Sequence, residues 1–495
     1  MVSFELRVIL IYLTAYFSTL FILPKIANIA LRIGLVDEPN NRKVHKMPRP
    51  LVGGIGIVIS ATFSNLLFIS IEGLRGFFLG LALLLLVGFL DDYREINLKQ
   101  KFLAQIAATA LLIYFSKVCL RSFGDLFGLG DIDISGNDLL VWSVTVFCVV
   151  GVINAINMMD GLDGLAGGVS FLAFLAFAIH SALIGNKQLM LLNLSLAGAV
   201  LGFLKFNWSP STLFMGDAGS LCLGFSLSFM ALALTQGSGD KISPVVPLLV
   251  LAVPITDTIV VMVRRVFRGG SPFKADQIHL HHILLRFGIG RVETVKFILL
   301  LCILLCLLSF LGHVRGFSDR SLFLIYLVYV TLFLAACGYI AWAFPRGKQL
   351  REGEQLLDWL PAARMVRKLS RLFYTVRREK RYPVQLAIVC RSVDGGREFQ
   401  GTVLNMSRDG FMASINDLDV VYERMQVKIS FPPDPVERSI ELSAEHLWLQ
   451  QRNDRVYHGF RFDGEGEQRD QATSIIQEFT NRPAGQVVDR PIQDE

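Results

Sequence analysis

Apolar runs long enough to cross a bilayer recur through the first two thirds of this chain, and no other feature limits its fold as much. They fall near 4–31, 51–70, 76–93, 102–120, 138–158, 165–184, 188–205, 218–236, 243–263, 294–312 and 321–344. A hydrocarbon core about 30 Å thick asks for roughly 20 apolar residues per helix. The runs therefore predict a polytopic α-helical membrane protein with about 11 transmembrane helices. Composition agrees, since only 18% of the 495 residues are charged, against about a quarter in soluble domains. The first run lacks the basic head and small-residue cleavage site of a secretory signal and reads as a retained helix. The seven cysteines include no CxxC pair, which favours apolar packing over a disulfide framework or zinc ribbon.

Basic residues orient the helices. Arg32, Arg42, Lys43, Lys46 and Arg49 follow the first run, and Arg264, Arg265, Arg268, Lys274, Arg286 and Arg291 follow the ninth. Arg75 stands alone between the second and third. By the positive-inside rule the basic loops are cytoplasmic, and an odd helix count leaves the C-terminus on that side. This topology also gathers the acidic motifs on one side. Asp91-Asp92 closes the third helix there, Asp160 and Asp163 follow the fifth, Asp217 opens the eighth, and His279, His281 and His282 lie in the ninth loop. Carboxylates beside lipid are costly and point to function. The opposite loop, 121–137, has the alternation and turn residues of a small hairpin.

Each motif is weak alone. An Asp-Asp at a helix end is usually solvated, Asp-Gly usually marks a turn, and the histidines lack a nearby Cys or Glu to complete a metal site. Gly53-Gly54-Ile55-Gly56 opens a membrane helix instead of following a strand, so it is no dinucleotide loop. Together the motifs describe a site. Asp91, Asp92 and Asp217 offer hard oxygens to Mg²⁺. Asp160 and Asp163 lie one helical turn apart beside glycines that permit close backbone approach. Carboxylates, Mg²⁺ and bases at a lipid boundary suggest phosphoryl transfer involving a lipid phosphate. Transport paths also use polar groups within helix bundles, but these residues cluster at one face and not at the midplane.

Beyond Phe344 the composition changes. Residues 345–376 read as a basic amphipathic helix, with Met365, Val366, Leu369, Leu372 and Phe373 on one face and Arg364, Arg367, Lys368 and Arg371 opposite. Such a helix lies on anionic lipid or simply connects domains. Residues 377–481 carry short alternating runs at Tyr382–Arg391, Glu398–Asn405, Met425–Phe431, Ile440–Leu449 and Val456–Phe462, which favour a small β-barrel. Gln468–Asn481 reads as a closing helix and 482–495 as a polar tail.

Six stretches carry a resemblance over essentially all of 1–344. They are Asp37-Glu38-Pro39-Asn40 with Arg42-Lys43-Val44-His45; Pro50-Leu51-Val52-Gly53-Gly54; Gly88-Phe89-Leu90-Asp91-Asp92; Asn157-Met158-Met159-Asp160-Gly161-Leu162-Asp163-Gly164; Phe214-Met215-Gly216-Asp217-Ala218-Gly219-Ser220; and Pro272-Phe273-Lys274-Ala275-Asp276 leading to His279-Leu280-His281-His282. In this order they resemble the polyprenyl-phosphate N-acetylhexosamine-1-phosphate transferase family. The resemblance implies transfer of a sugar-1-phosphate from a UDP-N-acetylhexosamine to polyprenyl phosphate, with release of UMP, at a cytoplasmic active site in the bacterial inner membrane. It implies Mg²⁺, with Mn²⁺ as an alternative, held by Asp217 and Asp92. Asp91 and Asp92 become essential carboxylates, one of which deprotonates or positions the lipid phosphate, and His279 joins them. Asp160 and Asp163 belong to the nucleotide pocket, with Asn207 and Phe214 as uracil contacts. Lys46 and His279 sit on the diphosphate side, and His281 and His282 are further substrate groups.

The peptidoglycan branch, which transfers phospho-MurNAc-pentapeptide, typically has Thr-Pro-Thr-Met-Gly-Gly and a three-histidine run followed by Phe-Glu. Arg49-Pro50-Leu51-Val52-Gly53-Gly54 and His279-Leu280-His281-His282 instead resemble the glycan-priming branch, usually with GlcNAc. In the tail, Arg377-Arg378-Glu379-Lys380-Arg381 fits RxxxR and Asn405-Met406-Ser407-Arg408-Asp409-Gly410 fits [D/N]xSxxG. These resemble a PilZ domain, which implies cyclic di-GMP on Arg377, Arg378, Arg381, Asn405, Ser407 and Gly410, the arginines pairing phosphates and stacking on guanines. The expected partners are then the two substrates, cyclic di-GMP and the bilayer, with no nucleic acid polymer; a homodimer is compatible. The rival classes are a transporter and a catalytically idle, membrane-anchored cyclic di-GMP receptor.

Overall fold

A computed structural model describes residues 3–37, 48–237, 240–267, 269, 279–286, 289–343, 382–392, 398–407, 410–415, 424–430, 439–452 and 455–462. Two compact units emerge, 1–370 and 371–495. The expected linker helix at 345–376, the closing helix at Gln468–Asn481 and the polar tail lie outside the described residues.

The first unit is helical. Its elements are α1 (Phe4–Ile33), a two-residue pair β1 (Val36–Asp37) and β2 (Arg49–Pro50), α2 (Gly53–Phe68), α3 (Arg75–Arg94), α4 (Leu98–Ser116), α5 (Asp138–Met159), α6 (Leu165–Leu183), α7 (Lys187–Asn207), α8 (Gly216–Gln236), α9 (Val245–Val250), α10 (Ala252–Phe267), α11 (Leu280–Arg286), α12 (Arg291–Val314) and α13 (Asp319–Ala343). All eleven apolar runs are helical, but among the described residues eight helices are long and apolar enough to cross a membrane. Of the other three runs, α2 is only 16 residues long and α4 opens on Lys99 and Lys101. The ninth run is broken at Leu251 into α9 and α10. Pro254 has no N–H to give the Val250 carbonyl one turn back, which accounts for the break.

Burial ranks the helices. The hydrophobic window of α8 is 89% buried and those of α6 and α7 are 72% buried, whereas α1 and α13 reach only 22%. So α8 is the axis of the bundle, and the outer helices turn Leu, Ile and Phe outward, as helices facing lipid do. Small residues allow the close approach around it. A Cβ on Gly54 would run into the backbone of Gly219, and one on Gly88 into the backbone of Ala218. The first turns of α2 and α8 and the last turns of α3 thus meet almost backbone to backbone. The loop at 121–137 makes the expected small antiparallel contact, with Phe123 N–H bonded to the Ile132 carbonyl at 3.1 Å and a bridge between Ser122 and Asp133.

The second unit is a closed antiparallel barrel. Its strands are β3 (Tyr382–Ser392), β4 (Glu398–Ser407), β5 (Gly410–Ile415), β6 (Arg424–Ser430), β7 (Ser439–Arg452) and β8 (Arg455–Phe462), in the order β3-β4-β5-β8-β7-β6. Alternate residues fill it, among them Leu386, Ile388, Cys390, Phe411, Ala413, Ile415, Val427 and Ile429, as the period of two requires. Five strands match the alternating runs; β5 is the addition. Its inward Phe411, Ala413 and Ile415 make it a short alternating strand directly after the Asp409-Gly410 turn signal.

Candidate functional site

The site grows from the N-terminus of α8. The first N–H groups of a helix have no partner inside it, and here a carboxylate from α3 supplies one. Asp92 accepts from the Asp217 N–H at 2.7 Å with one oxygen and from the Ala218 N–H at 3.1 Å with the other. Gly216, at φ +73°, turns the chain into α8, and a Cβ there would strike the Asp92 carboxylate. Asp92 is therefore committed to holding α8, aided by the positive end of the helix dipole.

Asp217, thus presented, is bound from two sides. Asn157 near the end of α5 donates to Oδ1 at 2.8 Å, and the Lys101 ammonium on α4 reaches Oδ2 at 2.7 Å. Lys101 also pairs with Asp91 Oδ2, and the other Asp91 oxygen takes the Ile96 N–H at 2.9 Å. One ammonium therefore bridges two carboxylates from different helices. Like charges so close need such a counter-charge.

These groups line a cavity of 1090 Å³ together with Asp160, Asp163, Asn207, Phe214, His282 and Arg291. Asp160, just past the end of α5, has its carboxyl pushed up to about 7, first by burial and then by the charges of Asp217 and Asp163. Also lining the cavity, Arg49 lies 5.2 Å over the Phe214 ring, 3.8 Å from Asp163, and donates to the Ser211 hydroxyl. Asn207 braces this part of the wall: its carbonyl takes the Gly164 N–H at 2.9 Å and its amide donates to the Leu213 carbonyl at 3.1 Å.

Eight of the residues singled out by sequence thus share one cavity: Asp91, Asp92, Asp160, Asp163, Asn207, Phe214, His282 and Asp217. Two histidines stand behind it. His279 is buried and bonded through Nδ1 to Asp257 on α10 at 2.8 Å. His281 is 1% exposed and packs against Gly161; burial, with His282 and His279 adding, pushes its ring down to about 3. Lys46 lies outside the described residues, as do Arg377, Arg378 and Arg381. In the barrel Asn405 and Ser407 lie on β4 and Gly410 opens β5, with Ser407 paired opposite Gly410.

Among the described residues no group of three or more His, Cys, Asp or Glu forms a metal cage. The donor set still fits a hard cation that takes one or two carboxylates and completes its shell with water and substrate phosphate. Asp91 and Asp217 already share one cation, the Lys101 ammonium. Asp92 fits less well, because both its oxygens hold α8.

Cavity or supporting residues left without a site role by the sequence include Lys101, Asn157, Arg49, Arg291 and Asp257. Lys101 reads as one of several flanking bases, and Asn157 sits unassigned inside a motif. Arg291 counted only as a loop charge. Asp257 carried a usable signal, a carboxylate inside an apolar run.

Residues 74–235 match glycosyl transferase family 4, and residues 375–478 match the PilZ domain. A Bacillus subtilis protein described as a probable undecaprenyl-phosphate N-acetylglucosaminyl 1-phosphate transferase is 32% identical over 307 residues, covering 60% of this chain and 82% of that protein. The undecaprenyl-phosphate alpha-N-acetylglucosaminyl 1-phosphate transferase of Yersinia pestis is 34% identical, covering 70% of this chain and 93% of its own length. That of Escherichia coli K12 is 31% identical, covering 67% and 90%.

Proposed function

We propose, because this chain belongs to glycosyl transferase family 4, that it transfers GlcNAc-1-phosphate from UDP-GlcNAc to undecaprenyl phosphate. UMP is released, and the lipid-linked sugar primes a cell-surface polysaccharide. The chain is a membrane phosphotransferase with a C-terminal PilZ domain. The observation that carries the finer reading is the Lys101 bridge between Asp91 and Asp217 within a cavity at the ends of membrane helices.

The reaction is a displacement at phosphorus. An oxygen of the lipid phosphate attacks the β-phosphorus of the donor, and the bond from that phosphorus to the bridging oxygen breaks. UMP leaves with the electron pair. Asp91 is the better of the acidic pair for orienting the lipid phosphate and taking its proton, since both Asp92 oxygens are tied to backbone N–H groups of α8, whereas one Asp91 oxygen meets a side chain, the Lys101 ammonium. Lys101 offers its ammonium to phosphate oxygens and keeps the two carboxylates compatible. Asp217 would hold Mg²⁺, or Mn²⁺, which spreads phosphate charge when bound. On the nucleotide side Phe214 offers a ring face to uracil and Asp163 an acceptor for its N3–H. Asn207 sets that wall in place.

The active site is assigned to the cytoplasmic face of a bacterial inner membrane, from the basic loops. The PilZ domain is assigned cyclic di-GMP through Arg377, Arg378, Arg381, Asn405, Ser407 and Gly410, and this binding is proposed to set turnover. The test uses purified full-length protein with undecaprenyl phosphate, Mg²⁺ and a panel of UDP-sugars. UMP release that is greatest with UDP-GlcNAc and absent from Asp217→Ala supports the reading. No release with any sugar, with or without cyclic di-GMP, overturns it. Cyclic di-GMP that leaves turnover unchanged, or that binds Arg377→Ala/Arg381→Ala like wild type, removes the regulatory part.

A further inference from the structure

Asp257 lies in the first half of α10 and is 3% exposed. A carboxylate so buried in an apolar helix must be partnered. Among the described residues its two hydrogen-bond partners both belong to the histidine turn. One oxygen takes the Leu280 N–H at 2.8 Å, and the other meets His279 Nδ1 at 2.8 Å. The pair fixes both the backbone of the turn and the plane of the His279 ring, with Nδ1 as the donor. The ring of His281 stacks on that of His279 at 5.9 Å and 10°, and the ring of His282 lies 4.1 Å from His281. The three rings thus run in series from Asp257 to the cavity, and of the three only His282 lines it, as Arg291 also does.

We propose that Asp257 is a positioning residue. Through His279 and His281 it sets His282 at the cavity wall, where His282 and Arg291 take the diphosphate of the nucleotide donor. This rests on the transferase reading for its ligand, but its contacts are independent of Asp217. His279 then acts from behind the site, and His282 is the histidine that meets substrate.

The test titrates UDP and uridine into full-length wild type, Asp257→Asn, His282→Ala and the double variant, with thermal unfolding as the check on folding. Asn keeps the volume and an acceptor for the Leu280 N–H, but it loses the charge and can meet Nδ1 only as a donor, which reverses the His279 tautomer. Asp257→Asn is expected to weaken UDP about tenfold or more, leave uridine within about twofold, and add less than about twofold to His282→Ala. In turnover the donor KM rises while the KM for undecaprenyl phosphate holds, and Asp257→Glu recovers part of the loss. Equal weakening of UDP and uridine, or multiplicative losses with His282→Ala, overturns the proposal. If Asp257→Asn does not fold, His279→Asn, which keeps a donor for Asp257 but removes the stacked ring, is judged by the same outcomes. Selective UDP loss in a protein that releases no UMP would sink the transferase reading and leave the positioning role standing.

Discussion

Asp92 and Asp217 are joined through the backbone, with the Asp92 carboxylate accepting the Asp217 N–H at 2.7 Å. A residue on α3 therefore caps the helix that presents the site's central carboxylate. Losing an N-cap acceptor costs about 1–2 kcal/mol. Asp92→Ala is expected to lose stability on that scale and to lower turnover about 100-fold or more as α8 shifts. Asp92→Asn, which keeps one acceptor for the two N–H groups, is expected to recover only part of the stability. Thermal unfolding in detergent beside UMP release checks both. An Asp92→Ala protein as stable as wild type contradicts the capping role.

Lys101 separates Asp91 from Asp217. Lys101→Met leaves two facing carboxylates with no ammonium between them, and turnover is expected to fall about 100-fold or more. The loss of stability is expected to be smaller, because the side chain is a quarter exposed and water screens the repulsion. Kinetics and unfolding on one preparation separate the two effects; near-normal turnover counts against a role for Lys101 in the site.

Gly54 has no room for a methyl group, since its Cβ would enter the Gly219 backbone. Gly54→Ala is expected to cost about 1–3 kcal/mol through overpacking and to impair activity by displacing α8. Gly151 on α5 has open space at the same position, so Gly151→Ala is expected to be neutral or to stabilise by up to about 1 kcal/mol. Similar effects at the two sites, measured by thermal unfolding, contradict this packing.

His281 gives the fold a pH dependence. Its folded pKa, about 3, lies below its ordinary 6.5. Between those values the unfolded chain binds a proton that the folded chain refuses, so stability falls as pH drops below about 6.5. The slope is up to about 1.4 kcal/mol per pH unit for one proton. His281→Phe is expected to flatten that part of the curve. Parallel wild-type and variant curves between pH 4 and 6.5, in unfolding experiments, mean that the ring is protonated in the fold.

The helices and acidic motifs were legible because apolar runs are long and carboxylates stand out within them. Asp91, Asp160, Asp163 and Asp217 were visible in that way. The sorting of roles was not, because it is set by contacts distant in sequence. Asp92 differs from Asp91 only once Gly88 lets α3 touch α8 at Ala218. Lys101 looked like Lys99 until α4 turned it inward, and Asp257 met His279 across a 22-residue separation. The β5 strand is only six residues long, and the three alternating apolar residues Phe411, Ala413 and Ile415 are too short a run to stand out from the turn residues before them.

The central claim is that the sugar moves together with its phosphate. The most direct measurement uses UDP-GlcNAc labelled in the β-phosphate, with purified protein, Mg²⁺ and undecaprenyl phosphate. The account predicts that the label enters the lipid fraction and that unlabelled UMP is released in equal amount. Label retained in UDP while sugar enters the lipid would mean glycosyl transfer without phosphate, and would contradict it.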